Sequence, residues 1–324
     1  MKIKLINISD LNEINKLDNI SKIYGNIFNQ FLWIKIFENS INIFGIYDDG
    51  DNLVGGFYLY KEKKFGFSIY RNPPFTPYVG PFLKIEAKNK VSIMNNWKNS
   101  LRLIADFIDN LNYSIISFSL NREIIDTQPF IWKKFKVIPN YTYILSLNEN
   151  IDKINKRMSS ERRNDIKKAL KDNIYVEKIE NYENVKLLVQ KVFYRQGKKL
   201  NEYYLNKILF NFSNNHNSFA FVSFKNDIPI SAAFCVYDND TAYYLLGGYD
   251  YENKHHGAGA LALWECIKYA QSIGLKYFDF EGSMIPEIEQ YFRGFGGKLT
   301  PYFRVNKARF ILEIFLKFFK REIF

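Results

Sequence analysis

At 324 residues the chain exceeds the usual size of one hydrophobic core and suits two domains of about 150 residues each. An apolar content of 47%, with aromatic residues at 18%, gives each half a core and argues against disorder. Lys plus Arg number 45 against 34 Asp plus Glu, and the resulting +11 suits phosphates, nucleotides, tRNA or anionic lipid, although a Lys-rich coding bias explains it equally well.

The first residues, Met1 to Asp10, lack the apolar run of a signal peptide. Nowhere does an uncharged apolar stretch approach the ~20 residues of a membrane-spanning helix, so a cytoplasmic chain is expected. Residues 27–38 have helical apolar spacing. Strand-like runs at 43–47, 53–60 and 65–70, separated by DDGDN and KEKK, predict an antiparallel meander. Segment 71–81 carries Pro73, Pro74, Pro77 and Pro81 and reads as a long ordered loop. A helix over 91–110, a strand over 113–120, a short helix over 128–136 and a strand over 137–147 follow.

The second half repeats this plan, with a boundary expected near Leu147–Asn150, giving domains 1–148 and 149–324. A charged helix over 149–171 leads to a strand at 174–179 and helices at 181–193 and 202–211. Strands at 217–224, 229–237 and 241–248 precede a long helix over 257–273. A strand at 275–281, a helix at 286–294 and a strand at 298–305 close the domain. Cys235 and Cys266 fall in apolar runs and read as buried small hydrophobes. With no CxxC pair, and with His216, His255 and His256 out of metal-ligand spacing, no metal is expected.

The most informative stretch is Ala242 to Arg304. A strand ends at Gly247–Gly248, a loop carries Lys254, His255 and His256, and Gly257-Ala258-Gly259 opens a helix. The first N–H groups of a helix have no intrahelical partner and, with the helix dipole, attract anions. Small residues there let a pyrophosphate reach the backbone, although glycines at a helix start also serve close helix–strand packing. The next strand, through Tyr277, ends in the turn Glu281-Gly282-Ser283.

This stretch resembles the acyl-CoA-binding core of the GNAT superfamily, whose signature is Gln or Arg, two residues, Gly, one residue, and Gly or Ala; here it reads Lys254-His255-His256-Gly257-Ala258-Gly259, with Lys in the place of Gln or Arg. It is more closely similar to Fem-family aminoacyltransferases and their FemAB-like relatives. The matching residues are Phe278-Asp279-Phe280-Glu281-Gly282, Phe292-Arg293-Gly294-Phe295-Gly296 and the basic helix from Ser160 to Ala169. The resemblance implies an α/β (α+β) fold of two tandem GNAT-like domains, each a mixed, mostly antiparallel sheet flanked by helices. It implies acyl-CoA as donor, or aminoacyl-tRNA as the alternative. No charged helical hairpin is inserted in the second half, which favours the acyl donor. Residues 121–136 contain no glycine, so the first half is expected to have lost its donor site and to supply the acceptor side, with Tyr78 in the loop as a wall.

Glu281, at the strand end, is a candidate general base toward an acceptor amine, with Asp279 as its alternative two residues earlier. Arg293 is a candidate for stabilising negative charge, or a helix C-terminal cation. Gly247, Gly248 and Lys254 to Gly259 form the expected donor site. Arg162 and Arg163, with Lys167 and Lys168, make a cationic face that is either solvated or receives an acidic acceptor or tRNA; Arg195 and Gln196 are further acceptor candidates. The tail from Lys307 is an amphipathic helix with a stripe of Arg309, Glu313, Lys317 and Arg321, suited to packing on the protein, dimerisation or shallow membrane contact. Together these features predict a transferase moving an acyl or aminoacyl group to an amine of a cell-envelope sugar or peptide precursor, acidic or nucleotide-linked. A tRNA-dependent aminoacyltransferase, a non-catalytic binding protein and a membrane-surface scaffold are the rivals.

Overall fold

The computed structural model describes residues 1–282 and 284–319; Ser283 and Arg321, named above, lie outside the described residues. The chain divides into two compact units, Met1–Asn140 with the segment that begins at Pro301, and Tyr141–Thr300.

The first unit opens with β1 (Lys2–Ile6) and α1 (Leu11–Tyr24), which starts where the Asp10 carboxylate accepts the Glu13 N–H. The helix expected at 27–38 is broken into short turns around α2 (Phe31–Lys35). The meander is β2 (Ile41–Tyr47), β3 (Leu53–Lys64) and β4 (Phe67–Arg71), with β5 (Phe82–Leu83) beside β3. Asp48 closes the first turn by accepting the Asn52 N–H at 2.8 Å, and Phe65 and Gly66, both at positive φ, make the second. Helix α3 (Lys90–Asp109) buries Leu101, Ile104, Ala105 and Ile108, the i, i+3, i+4, i+7 stripe of an amphipathic helix. It crosses to β6 (Ile115–Ser119), which runs parallel to β4; α4 (Gln128–Trp132) follows.

Strand β7 (Lys136–Ser146) enters the second unit, where α5 (Ile151–Arg157) and α6 (Ser160–Lys171) come next. These were expected as one helix. The break falls at Met158–Ser159, where the Ser159 hydroxyl accepts the Arg162 N–H and starts α6 afresh. Then come β8 (Tyr175–Ile179), α7 (Glu183–Arg195), α8 (Glu202–Asn206), β9 (Ser218–Lys225), β10 (Ile228–Tyr237) and β11 (Thr241–Tyr249). Helix α9 (Ala258–Ser272) crosses to β12 (Tyr277–Asp279), parallel to β11, and α10 (Pro286–Arg293) follows. The strand order is β7–β12–β11–β10–β9–β8. Side chains alternate across this sheet. Cys235 therefore joins the core under α9, while Phe234 meets Tyr182, just before α7, edge-on.

The chain ends in β13 (Lys298–Ala308) and α11 (Phe310–Phe319). β13 pairs with β6, and β7 pairs with β12. Each sheet is thus completed by a strand from elsewhere in the sequence. The division accordingly falls at Asn140 and Pro301, not at 148, and the tail belongs to the first unit. Both units share one plan: an antiparallel meander, a crossover helix and a parallel strand.

Candidate active site

β11 and β12 are paired only over Thr241–Tyr243 and Tyr277–Asp279. β12 then stops, while β11 runs on to Tyr249. A bulge at Leu245, between the Phe234–Leu246 and Cys235–Tyr244 pairs, bends the longer strand. The sheet opens there into a cleft of about 840 Å³ within the second unit. Tyr244, Leu245, Gly247 and Gly248 line it from β11, Gly259 and Ala260 from α9, Glu281 and Gly282 from the turn after β12, and Ile288, Tyr291 and Phe292 from α10.

Helix α9 begins at Gly257 with no side-chain cap. The Gly257 N–H donates to His255 Nδ1 and the Ala258 N–H to the His255 carbonyl, both at 3.2 Å. Gly259 and Ala260 line the cleft, and as residues of the first turn of α9 their N–H groups have no intrahelical partner. The glycines divide their labour. A Cβ on Gly257 would lie 2.0 Å from the Asp165 carbonyl oxygen of α6, so this glycine serves helix packing, a correction to the ligand approach expected from sequence. A Cβ on Gly259 would make ordinary 3.4 Å contacts with Ser231 Oγ and the Tyr291 hydroxyl, so its missing side chain leaves cleft space open. Gly247 is exposed to the cleft, and Gly248 presses on Leu188 of α7. Ala258 is buried, its carbonyl accepting from Ser223.

The basic residues before this helix are placed differently from one another. Lys254 is exposed and does not line the cleft. His255, holding the Gly257 N–H on Nδ1, carries its proton on Nε2 and donates it to Asp172 at 3.1 Å. That bond, foremost, holds the Asp172 carboxyl below its ordinary value. His256 does line the cleft, with Nε2 2.8 Å from Asp165 Oδ1. The other Asp165 oxygen takes Arg162 Nη1 at 2.6 Å, and both partners of that pair are buried. Arg162 also stacks on Tyr291, 4.4 Å from the ring centre, and lines the cleft. Arg163 instead donates to the carbonyls of Lys156 and Met158, fastening the α5–α6 turn, so it is no acceptor ligand.

Glu281 sits in the left-handed region at φ +55°, followed by Gly282 at φ +120°. The Asp279 carboxylate holds this turn, taking the Thr142 hydroxyl at 2.6 Å and the Glu281 N–H at 2.9 Å, while Thr142 Oγ1 accepts the Gly282 N–H. Asp279 is fully buried, which corrects its candidacy as the alternative base: the strand ends at Asp279, and the alternation that would set it beside Glu281 ends with it. Its geometry makes it a positioning group, not a base.

Arg293 is exposed, pairs with Glu289 at 3.3 Å and does not line the cleft; it closes α10 as a C-terminal cation. Tyr291 was not foreseen. Its ring lies in an aromatic cluster with Phe292 and Phe295, and its hydroxyl borders Gly259. Burial pushes its phenol well above the ordinary range, so it keeps its proton at neutral pH. The signal was available: Tyr291 precedes Phe292-Arg293-Gly294 on one helix, three residues from Ile288 of the same cleft wall. At the rim, Gln196 lines the cleft, whereas Arg195 does not and stacks on Tyr251 at 3.6 Å. Tyr78 is a core side chain of the first unit, packed on Phe28 and Tyr302, and forms no open wall.

Residues 213–293, from just before β9 through α10, match the family model described as Acetyltransferase (GNAT) domain. Those residues form a GNAT domain, and the chain has a FemX-like fold. FemX itself, at 14% identity, gives a TM-score of 0.64 over 93% of this chain and 96% of its own. The C-terminal DUF2156 domain assigned to a lysylphosphatidylglycerol synthetase of Agrobacterium fabrum gives 0.59 at 8% identity, over 95% and 98%. A tandem GNAT protein from the clavulanic acid biosynthesis pathway gives 0.53 at 8% identity, over 94% and 98%. No curated protein matches the chain. The GNAT match contains both Gly259 and Glu281, so the whole opening between β11 and β12 lies inside the family's domain. This is an acyltransferase fold, and no helix among the described residues is long and apolar enough to cross a membrane.

Proposed function

We propose that the second unit is an N-acyltransferase that moves an acyl group from acyl-CoA, or a related activated donor, to an amine of a cell-envelope sugar or peptide precursor. The observation that carries the proposal is the uncapped start of α9, with the Gly259 and Ala260 N–H groups in the same cleft as Glu281 and Tyr291. Those N–H groups and the helix dipole suit a donor phosphate. The acyl carbonyl then lies in the gap left by the splayed strands. The amine nitrogen attacks the carbonyl carbon of the thioester, the N–C bond forms and the C–S bond breaks. The proton lost by the amine passes to the Glu281 carboxylate, directly or through water. The departing thiolate is stabilised by a hydrogen bond from the neutral Tyr291 hydroxyl and takes its proton from water. Holding both reactants in one cleft supplies much of the rate by removing the entropy of encounter. Arg162 and Gln196, on the cleft wall and rim, are the acceptor-binding candidates that the geometry retains.

An aminoacyl-tRNA donor is the second reading, favoured by the net charge of +11 and the FemX-like fold. Native mass spectrometry of the full chain with acetyl-CoA, longer acyl-CoAs and charged tRNA separates the two donors. With the donor in hand, Glu281→Gln is the test of chemistry. Turnover should fall ~10²–10⁴-fold with donor affinity unchanged, a range typical of general-base help. The loss should shrink as pH rises and the amine loses its proton unaided. Wild-type turnover of Glu281→Gln at every pH would remove the base from this scheme.

A further inference from the structure

The last helix among the described residues is covered by the fold only in part, with Leu312, Glu313 and Leu316 half-buried. Among Phe310–Phe319 no residue is buried. Phe310, Ile311 and Phe318 are 80%, 81% and 81% exposed. The helix is nonetheless fastened at its root. Arg309 donates to the carbonyls of Tyr113 and Leu111 and lies over the Tyr113 ring, and its own carbonyl accepts the Glu313 N–H. The polar side chains of α11 are Glu313 and Lys317, paired with each other at 2.9 Å on one stripe. Phe, Ile and Leu occupy every other direction around the helix.

We infer that α11 is an interfacial helix that docks on an anionic lipid surface. No helix among the described residues is long and apolar enough to cross a membrane, and the polar stripe of α11 suits a helix lying in the interface. A second copy of the chain is the competing occupant, and the pattern disfavours it. A paired helix covers a single seam. Over the described residues of α11 the apolar arc is far wider than a seam, which suits a broad apolar medium. Charge selects the lipid. The chain carries +11, and the internal Glu313–Lys317 pair leaves that excess undiminished, so an anionic surface attracts it where a zwitterionic one does not. Docking would hold the cleft-bearing chain beside membrane-attached acceptors, but the inference stands without any assignment of the acceptor.

The test is co-sedimentation of the full chain with vesicles of phosphatidylglycerol and phosphatidylcholine in equal parts, or of phosphatidylcholine alone, at low and high salt. The full chain should bind the anionic vesicles at low salt and be released by salt. Phe315→Glu with Phe318→Glu should lower that partition at least tenfold while circular dichroism and the mass from light scattering stay unchanged. A chain shortened after Arg309 should behave like the double variant, since β13 ends at Ala308. Absence of binding to anionic vesicles, equal binding to phosphatidylcholine alone, or an unaffected double variant would overturn the inference. So would a dimer that the double variant converts to monomer.

Discussion

The two crossover helices of this chain occupy equivalent places in their units and end differently. Helix α3 follows the meander β2–β3–β4 and leads to a parallel strand, as α9 follows β9–β10–β11. At the start of α3 the Asn89 side chain accepts the Ser92 N–H at 2.9 Å, so that end is closed by its own sequence. At the start of α9 stands Gly257 with no side-chain cap, and the next residues, Gly259 and Ala260, line the cleft. The space beside the parallel strand differs in the same way. In the first unit Asn72 Oδ1 accepts the Ser119 N–H, and the Ser119 carbonyl accepts from Val79. Asn121 then binds Asn26, Asn29, the Gly80 N–H and the Pro81 carbonyl. The proline-rich loop thus fills the position that stays open beside β12. One plan yields a sealed opening and a usable one, and the difference lies in a few polar side chains that either satisfy the backbone or leave it to a ligand.

The contrast can be broken most forcefully at the buried ion pair beneath the open end. Asp165→Ala leaves Arg162 buried without its carboxylate and should destabilise the protein by about 3–5 kcal/mol, read from urea unfolding. A loss under ~1 kcal/mol would mean that Arg162 relaxes into the cleft and is not structural. Gly257→Val forces side-chain atoms into the α6 backbone and should cost about 1–3 kcal/mol, lowering the thermal midpoint. An unchanged midpoint would show that α6 and α9 separate freely. At the closed end, Asn89→Ala should cost ~1 kcal/mol without altering donor affinity, and any change in affinity would deny that the two helix starts are independent. The smallest effect concerns pH. Asp250 closes β11; burial pushes its carboxyl up, but bonds from Lys191, Asn253 and the Glu252 N–H outweigh this and hold it at about 2. Its folded value is depressed, so its contribution is present above the unfolded value near ~3.9 and disappears as pH falls toward 2. Lys191→Met should raise the midpoint of acid unfolding, and an unshifted midpoint would show that the pair carries no linkage.

Much of the second half was legible because its signals are local. The alternation over 217–248, the small residues at 257–259 and the aromatic-glycine run at 292–296 each reflect nearby packing. What was missed depends on distant partners. β1 is short and mostly exposed, so its pattern is faint, yet it pairs with β2 more than thirty positions away. The exchange of β7 and β13 between sheets leaves no mark in composition, which is why the boundary near 148 looked natural. Asp279 and Glu281 looked equivalent because period-two reasoning assumes a continuing strand, and a positive φ at Glu281 ends it. Tyr78 has the residue type of a pocket wall, and only its contacts with Phe28 and Tyr302 show it as core. The glycine pair read correctly as a helix start, but Gly257 turned out to answer to α6 and Gly259 to the cleft.

That division between two neighbouring glycines is where the account is most exposed. Acetyl-CoA binding to Gly259→Val, measured by titration calorimetry beside the wild-type chain, tests it directly. A Cβ there already stands 3.4 Å from Ser231 Oγ and the Tyr291 hydroxyl, so the larger side chain takes up cleft space and should weaken binding at least tenfold while the circular dichroism spectrum stays unchanged. Wild-type affinity in a folded Gly259→Val protein would contradict the account, because the donor would then be bound somewhere other than the open end of α9.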